Sequence, residues 1–66
     1  MLKINLTKYP LTIERVDRLI IYMVFHQILT IDDLMLRPIE ELALLGGWTE
    51  EIKESIEVIR THYPLD

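Results

Sequence analysis

Apolar side chains recur along this chain in two rhythms. At the start they alternate. Leu2, Ile4 and Leu6 stand at every second position, the spacing of a half-buried strand. No second strand pattern follows, so this stretch reads as an extended arm laid on a core, with pairing to a strand of another molecule as the alternative. Pro10 closes it, and Tyr9, the residue before that proline, is held to extended geometry. From there the rhythm becomes helical. Ile13, Val16, Ile20, Met23, Val24 and Gln27 follow three/four spacing and predict a helix from about Ile13 to Ile28, with Thr12 as N-cap and Glu14 at the positive end of its dipole. Leu19, Ile21, Tyr22 and Phe25 add apolar groups on other faces of that helix. One helix of a small domain can hardly be enclosed on every side. The surplus around Tyr22 and Phe25 therefore predicts a contact surface.

Three further helices follow from their terminal signals. Thr30-Ile31-Asp32-Asp33 has the form of a capping box and opens a short helix to Leu36. Pro38 suits the first position of the next helix, Ile39 to Leu45, which has Glu40 and Glu41 in its first turn and stops at Gly46-Gly47. Thr49 caps the last helix, from about Glu50 to His62. Ile52, Ile56 and Ile59 form its inward stripe, Arg60 and His62 lie at its negative end, and Pro64 stops it. The fold class this predicts is all-α. It is a compact bundle of about four short helices, helix-hairpin-helix-like, with residues 1–10 as an extended N-terminal arm and 11–64 as the helical domain.

Composition narrows the chemistry. The 66 residues include no Cys, which excludes a disulfide scaffold, a thiol nucleophile and thiolate zinc sites. Two His are too few for an imidazole cage. Asp32 and Asp33 point about 100° apart on a helix and have no third ligand nearby in sequence, so they do not read as a metal pair. No Ser-His-Asp spacing, P-loop or dinucleotide glycine motif is present. No catalytic site, metal or cofactor is expected. His26 reads as a partly buried polar filler, His62 as a dipole partner, and Trp48 as a core plug near Ile52 or an interface anchor. No segment reads as a secretion signal, and the longest apolar run, Leu19 to Phe25, falls well short of the ~20 residues of a membrane span. A cytoplasmic protein is expected.

Charge is unevenly divided. Residues 1–30 carry four basic and two acidic groups; residues 31–66 carry three basic and nine acidic groups, for a total of −4. Opposite signs at two ends suit a charged partner in a defined orientation, or simply keep a greasy domain soluble. A negative total counts against nucleic acid.

The segment Ile28-Leu29-Thr30-Ile31-Asp32-Asp33-Leu34, then Glu40-Glu41-Leu42, a Gly-containing turn, and Glu54-Ser55-Ile56 with Val58-Ile59 resembles the C-terminal domain of the bacterial RNA polymerase alpha subunit. The resemblance covers about residues 11–60 and includes Leu11-Thr12 before a helix that carries Arg18. It implies a bundle of short helices that binds the DNA minor groove and docks transcription regulators. Arg18 falls where that family reads DNA, although pairing with Glu14 one turn away is the favoured reading; Arg15 and Lys8 would join it in a weak DNA binder. The family's hairpin glycine and lysines fall at Thr49, Glu50 and Glu51, and carboxylates there repel phosphate. The resemblance thus implies a retained scaffold with an acidic face. Tyr22, Phe25, Trp48, Glu50, Glu51 and Glu54 form the candidate protein-binding set, and Arg15 and Arg18 the candidate DNA-binding pair. The expected partner is another protein, such as RNA polymerase or a transcription factor. The alternatives are a phage- or plasmid-encoded inhibitor of a host nucleic-acid enzyme and a weak minor-groove binder. The arm and the apolar surplus also allow a symmetric homodimer.

Overall fold

A computed structural model of the chain describes residue 6 and residues 8–63. Four helices follow one another: α1 (Ile13–Phe25), α2 (Ile31–Leu36), α3 (Ile39–Leu42) and α4 (Glu50–His62). The all-α bundle expected from the sequence is the observed fold. The Leu2–Ile4 part of the arm lies outside the described residues. Its end, Leu6, is buried in the core with Tyr9.

Three of the four helices start where a threonine supplies an acceptor. Thr12, Thr30 and Thr49 all have extended backbones, and their hydroxyls accept from the N–H three residues on, at Arg15 (3.3 Å), Asp33 (3.0 Å) and Ile52 (3.1 Å). The ends are less regular. The α1 helix stops at Phe25, three residues before the predicted Ile28. Gln27 adopts φ 58°, its N–H bonds to Val24 O (3.0 Å), and Ile28 N–H bonds back to Met23 O (2.8 Å). That is a Schellman closure, with the apolar pair Ile28 and Met23 buried beside it. Pro38 is the N-cap of α3, one position earlier than expected. After Leu42 the predicted helix continues only as three-residue bonds, Leu44 N–H to Glu41 O (3.2 Å) and Leu45 N–H to Leu42 O (3.1 Å).

The core consists of Leu6, Tyr9, Leu19, Tyr22, Met23, Ile28, Leu34, Leu42, Ile52, Ile56 and Ile59. The α4 stripe Ile52, Ile56, Ile59 is as predicted. The α1 stripe is so only in part: Met23 is buried and Val16 and Ile20 pack half-buried against the core, while Ile13, Val24 and Gln27 face out, and Leu19 and Tyr22, expected on other faces, are buried. Both sets have helical spacing, and packing against α4 selects the one that presents Leu19 and the Tyr22 ring. The short α2 is tied down at its open end by α4. The Arg60 guanidinium donates to the carbonyls of Arg37 and Leu34 (3.5 Å for the latter), placing a cation where the helix leaves acceptors unmatched.

The α3–α4 turn depends on Gly47, whose φ of 88° L side chains rarely adopt. A Cβ there would meet only Tyr22 Cδ1, at 3.6 Å, so the cost of substitution is backbone strain. Gly47→Ala is expected to lower stability by about 1–2 kcal/mol. Gly46, with nothing within 4 Å of an added Cβ, is the control, and Gly46→Ala should change stability by less than about 1 kcal/mol. Urea denaturation of both variants makes the comparison.

Candidate functional site

Two arginines of α1 face two glutamates of α4. Arg15 lies 3.1 Å from Glu54, and Arg18 Nη1 lies 2.8 Å from both carboxylate oxygens of Glu51. The partners advance along α1 as they retreat along α4, so the two helices run antiparallel. The hydrogen bond to Glu51, and then its charge, raise the Arg18 guanidinium above its ordinary value; partial desolvation opposes this and Glu14 adds to it. Glu14 is thus a neighbour of Arg18 and not its hydrogen-bonding partner, which corrects the favoured expectation of an i,i+4 pair. The correction has a simple cause. The α4 carboxylates arrive from across the helix interface at hydrogen-bonding distance, and a side chain on the same helix offers only a weak surface pair.

Beside this ladder, α1 and the α3–α4 turn leave an open groove of about 540 Å³. Ile21 and Phe25, one turn apart, form one wall. Gly46 and Gly47 form the other, Tyr22 and Ile52 line the floor, and Arg18 and Thr49 stand at the polar edge. Ile21 is 68% exposed and Phe25 77%. Val24, between them in sequence, is 44% exposed. These are large apolar side chains standing in water on one helix.

The turn is fastened to α1 by hydrogen bonds that also shape the groove. Tyr22 OH donates to Leu42 O at 2.6 Å. His26 Nε2 lies 2.6 Å from Gly46 O, an acceptor only, so this nitrogen carries the proton. The His26 ring also meets Tyr22 (4.9 Å between centroids) and Phe25 (5.1 Å) edge-on. It is half-buried and acts as a strut. His62 Nδ1 sits 2.9 Å from Val58 O at the end of α4.

The predicted protein-binding residues do not form one surface. Tyr22, expected to be exposed, is 4% exposed and belongs to the core, because its ring packs inward while its hydroxyl finds a buried carbonyl. Trp48 is half-buried against that core, edge-on to Tyr22 at 6.0 Å. Glu51 and Glu54 face α1, where they hold the candidate DNA-binding arginines. Glu50 is exposed, and Phe25 lines the groove. Ile21 and the Gly46–Gly47 wall are not among the residues that the sequence marks for binding. The signal for Ile21 was its i,i+4 spacing to Phe25, off the core stripe; the opposing wall comes from residues distant in sequence and had none.

No protein-family model, curated protein or solved structure matches the chain. Among the described residues no three His, Asp or Glu side chains converge as metal ligands, and no helix is long and apolar enough to cross a membrane.

Proposed function

We propose that this chain is a non-enzymatic protein-binding module, a small regulator or adaptor linked to transcription, that docks through the groove between α1 and the α3–α4 turn. The observation that carries the reading is the pairing of functions on α1. Its apolar groups Ile21 and Phe25 stand exposed at a concave site, while its arginines are held by Glu51 and Glu54. Apolar anchors in a groove suit a polypeptide, and cations already matched by carboxylates give up much of their attraction for phosphate. The link to transcription is supported by the spacing likeness to the polymerase alpha domain. The acidic surplus of residues 31–66 favours a second reading, an inhibitor that occupies the basic surface of a nucleic-acid enzyme.

Immobilised full chain, challenged with purified bacterial RNA polymerase and with duplex DNA, tests these readings. The adaptor reading expects polymerase to bind, Phe25→Ser to abolish the binding, and excess duplex to leave it intact. Retention that DNA competes away supports the inhibitor. A low-salt gel shift of the duplex that depends on Arg18, with no polymerase retained, overturns both.

A further inference from the structure

The groove has a charge character as well as an apolar one, and the two together define its occupant. The arginines of α1 and α4 are held within the fold, and Lys53, half-buried on α4, is their one further Lys or Arg. With Arg15 and Arg18 on Glu54 and Glu51, and Arg60 on the end of α2, the remaining exposed charges of these two helices include Glu14, Asp17, Glu50 and Glu57. Two of these flank the groove: Glu50 follows Thr49 at its edge, and Glu14 stands one turn before Arg18, close enough to act on its guanidinium. The rim is therefore net acidic around an apolar centre: its one lining cation, Arg18, is matched by Glu51, and Glu14 and Glu50 stand just outside the lining.

Size and charge both argue against a second copy as occupant. A stable interface takes about 800 Å² from each partner, close to a fifth of this chain's 4505 Å². The exposed side chains at the groove are chiefly one Ile and one Phe, and even a fully buried aromatic accounts for only about 150–250 Å². Two copies would also bring two acidic rims together, each on a chain of charge −4. One helix is a better fit. The Gly46–Gly47 wall has no side chains, so a backbone can approach closely, and the Ile21–Phe25 spacing of one turn matches anchors one turn apart on a facing helix.

Resting on the protein-docking reading above, we propose that the groove receives a cationic amphipathic helix of another protein, which seats two apolar side chains between Ile21–Phe25 and Gly46–Gly47 while its Lys or Arg residues meet Glu14 and Glu50.

The test uses the full chain and two synthetic helices of about 14 residues that share one Leu face, one with Lys and one with Glu on the polar face. Amide and methyl shifts are followed by NMR. The Leu/Lys peptide is expected to move Ile21, Phe25, Gly46 and Gly47, and to lose roughly tenfold in affinity between about 50 and 500 mM salt. Phe25→Ser should abolish binding without unfolding the domain, because that side chain is mostly in water. The double variant Glu14→Lys, Glu50→Lys should transfer the preference to the Leu/Glu peptide. Equal binding of both peptides at the groove overturns the charge assignment and leaves protein docking standing. Shifts elsewhere, or none with either peptide, overturn both. A dimer in sedimentation that is dispersed by Phe25→Ser replaces the helix with a second copy.

Discussion

Ile56→Ala is expected to unfold a large share of the molecules at physiological temperature. Ile56 is 0% exposed, at the centre of the α4 stripe that packs against α1. Truncating a buried Ile to Ala removes its transfer free energy and leaves a cavity, together about 2–5 kcal/mol. A chain of 66 residues has a total stability on the order of 3–10 kcal/mol at typical per-residue values. The loss is thus a large fraction of the whole, and no disulfide holds the chain together. Thermal unfolding followed by Trp48 fluorescence should fall by at least about 10 °C. Ile56→Val, which keeps most of the volume, should lose only about 0.5–1.5 kcal/mol. Similar small losses for both variants would mean that α1 and α4 are not packed through this stripe.

Tyr22→Phe should produce the second-largest loss. The ring stays, but the Leu42 carbonyl loses its buried donor at 2.6 Å, and leaving such an acceptor unmatched costs about 1–3 kcal/mol. The effect carries a pH signature. Burial pushes the Tyr22 phenol above its ordinary value of 10.0, with Arg37 pulling part of the way back. The unfolded chain therefore releases this proton first. The contribution to stability is complete below about pH 10 and declines as the pH rises towards the folded-state value. Denaturation of wild type and Tyr22→Phe should give a gap that is constant through neutral pH and narrows above about pH 10. A gap independent of pH would contradict the buried phenol.

Local signals carried most of the fold. Thr12, Thr30 and Thr49 mark helix starts because a hydroxyl acceptor at that place satisfies a backbone donor whatever the tertiary setting. The α4 stripe was legible because Ile52, Ile56 and Ile59 are its clear apolar set. On α1 every position from Leu19 to Phe25 is apolar, so periodicity does not choose a face there; the choice falls to α4 and to the bond between Tyr22 and Leu42. The end of α1 differs from the expected Ile28 for a related reason. The apolar rhythm runs on through Ile28, while the turn is made by Gln27 in a conformation that usually signals itself with glycine.

The candidate site was legible in its parts and not in its assembly. Phe25 was identified from the apolar surplus, and Glu50, Glu51 and Glu54 from their place in the hairpin. That Glu51 and Glu54 would meet Arg18 and Arg15 depends on the antiparallel passage of α1 and α4, which joins residues 33 and 39 positions apart. The same passage turns a pair of candidate phosphate contacts and a pair of candidate acidic contacts into one neutral ladder. It leaves the groove beside it as a concave surface with apolar groups to bury.

Site-specific photocrosslinking from that groove is the most direct measurement. Phe25→p-benzoylphenylalanine places the reactive group at the groove wall, and the same replacement at Glu57, exposed on α4, serves as control. In the cells that make the protein, irradiation is predicted to attach a discrete polypeptide at position 25 and none at position 57. Attachment to nucleic acid at position 25, or equal yields at the two positions, would contradict a protein-docking groove.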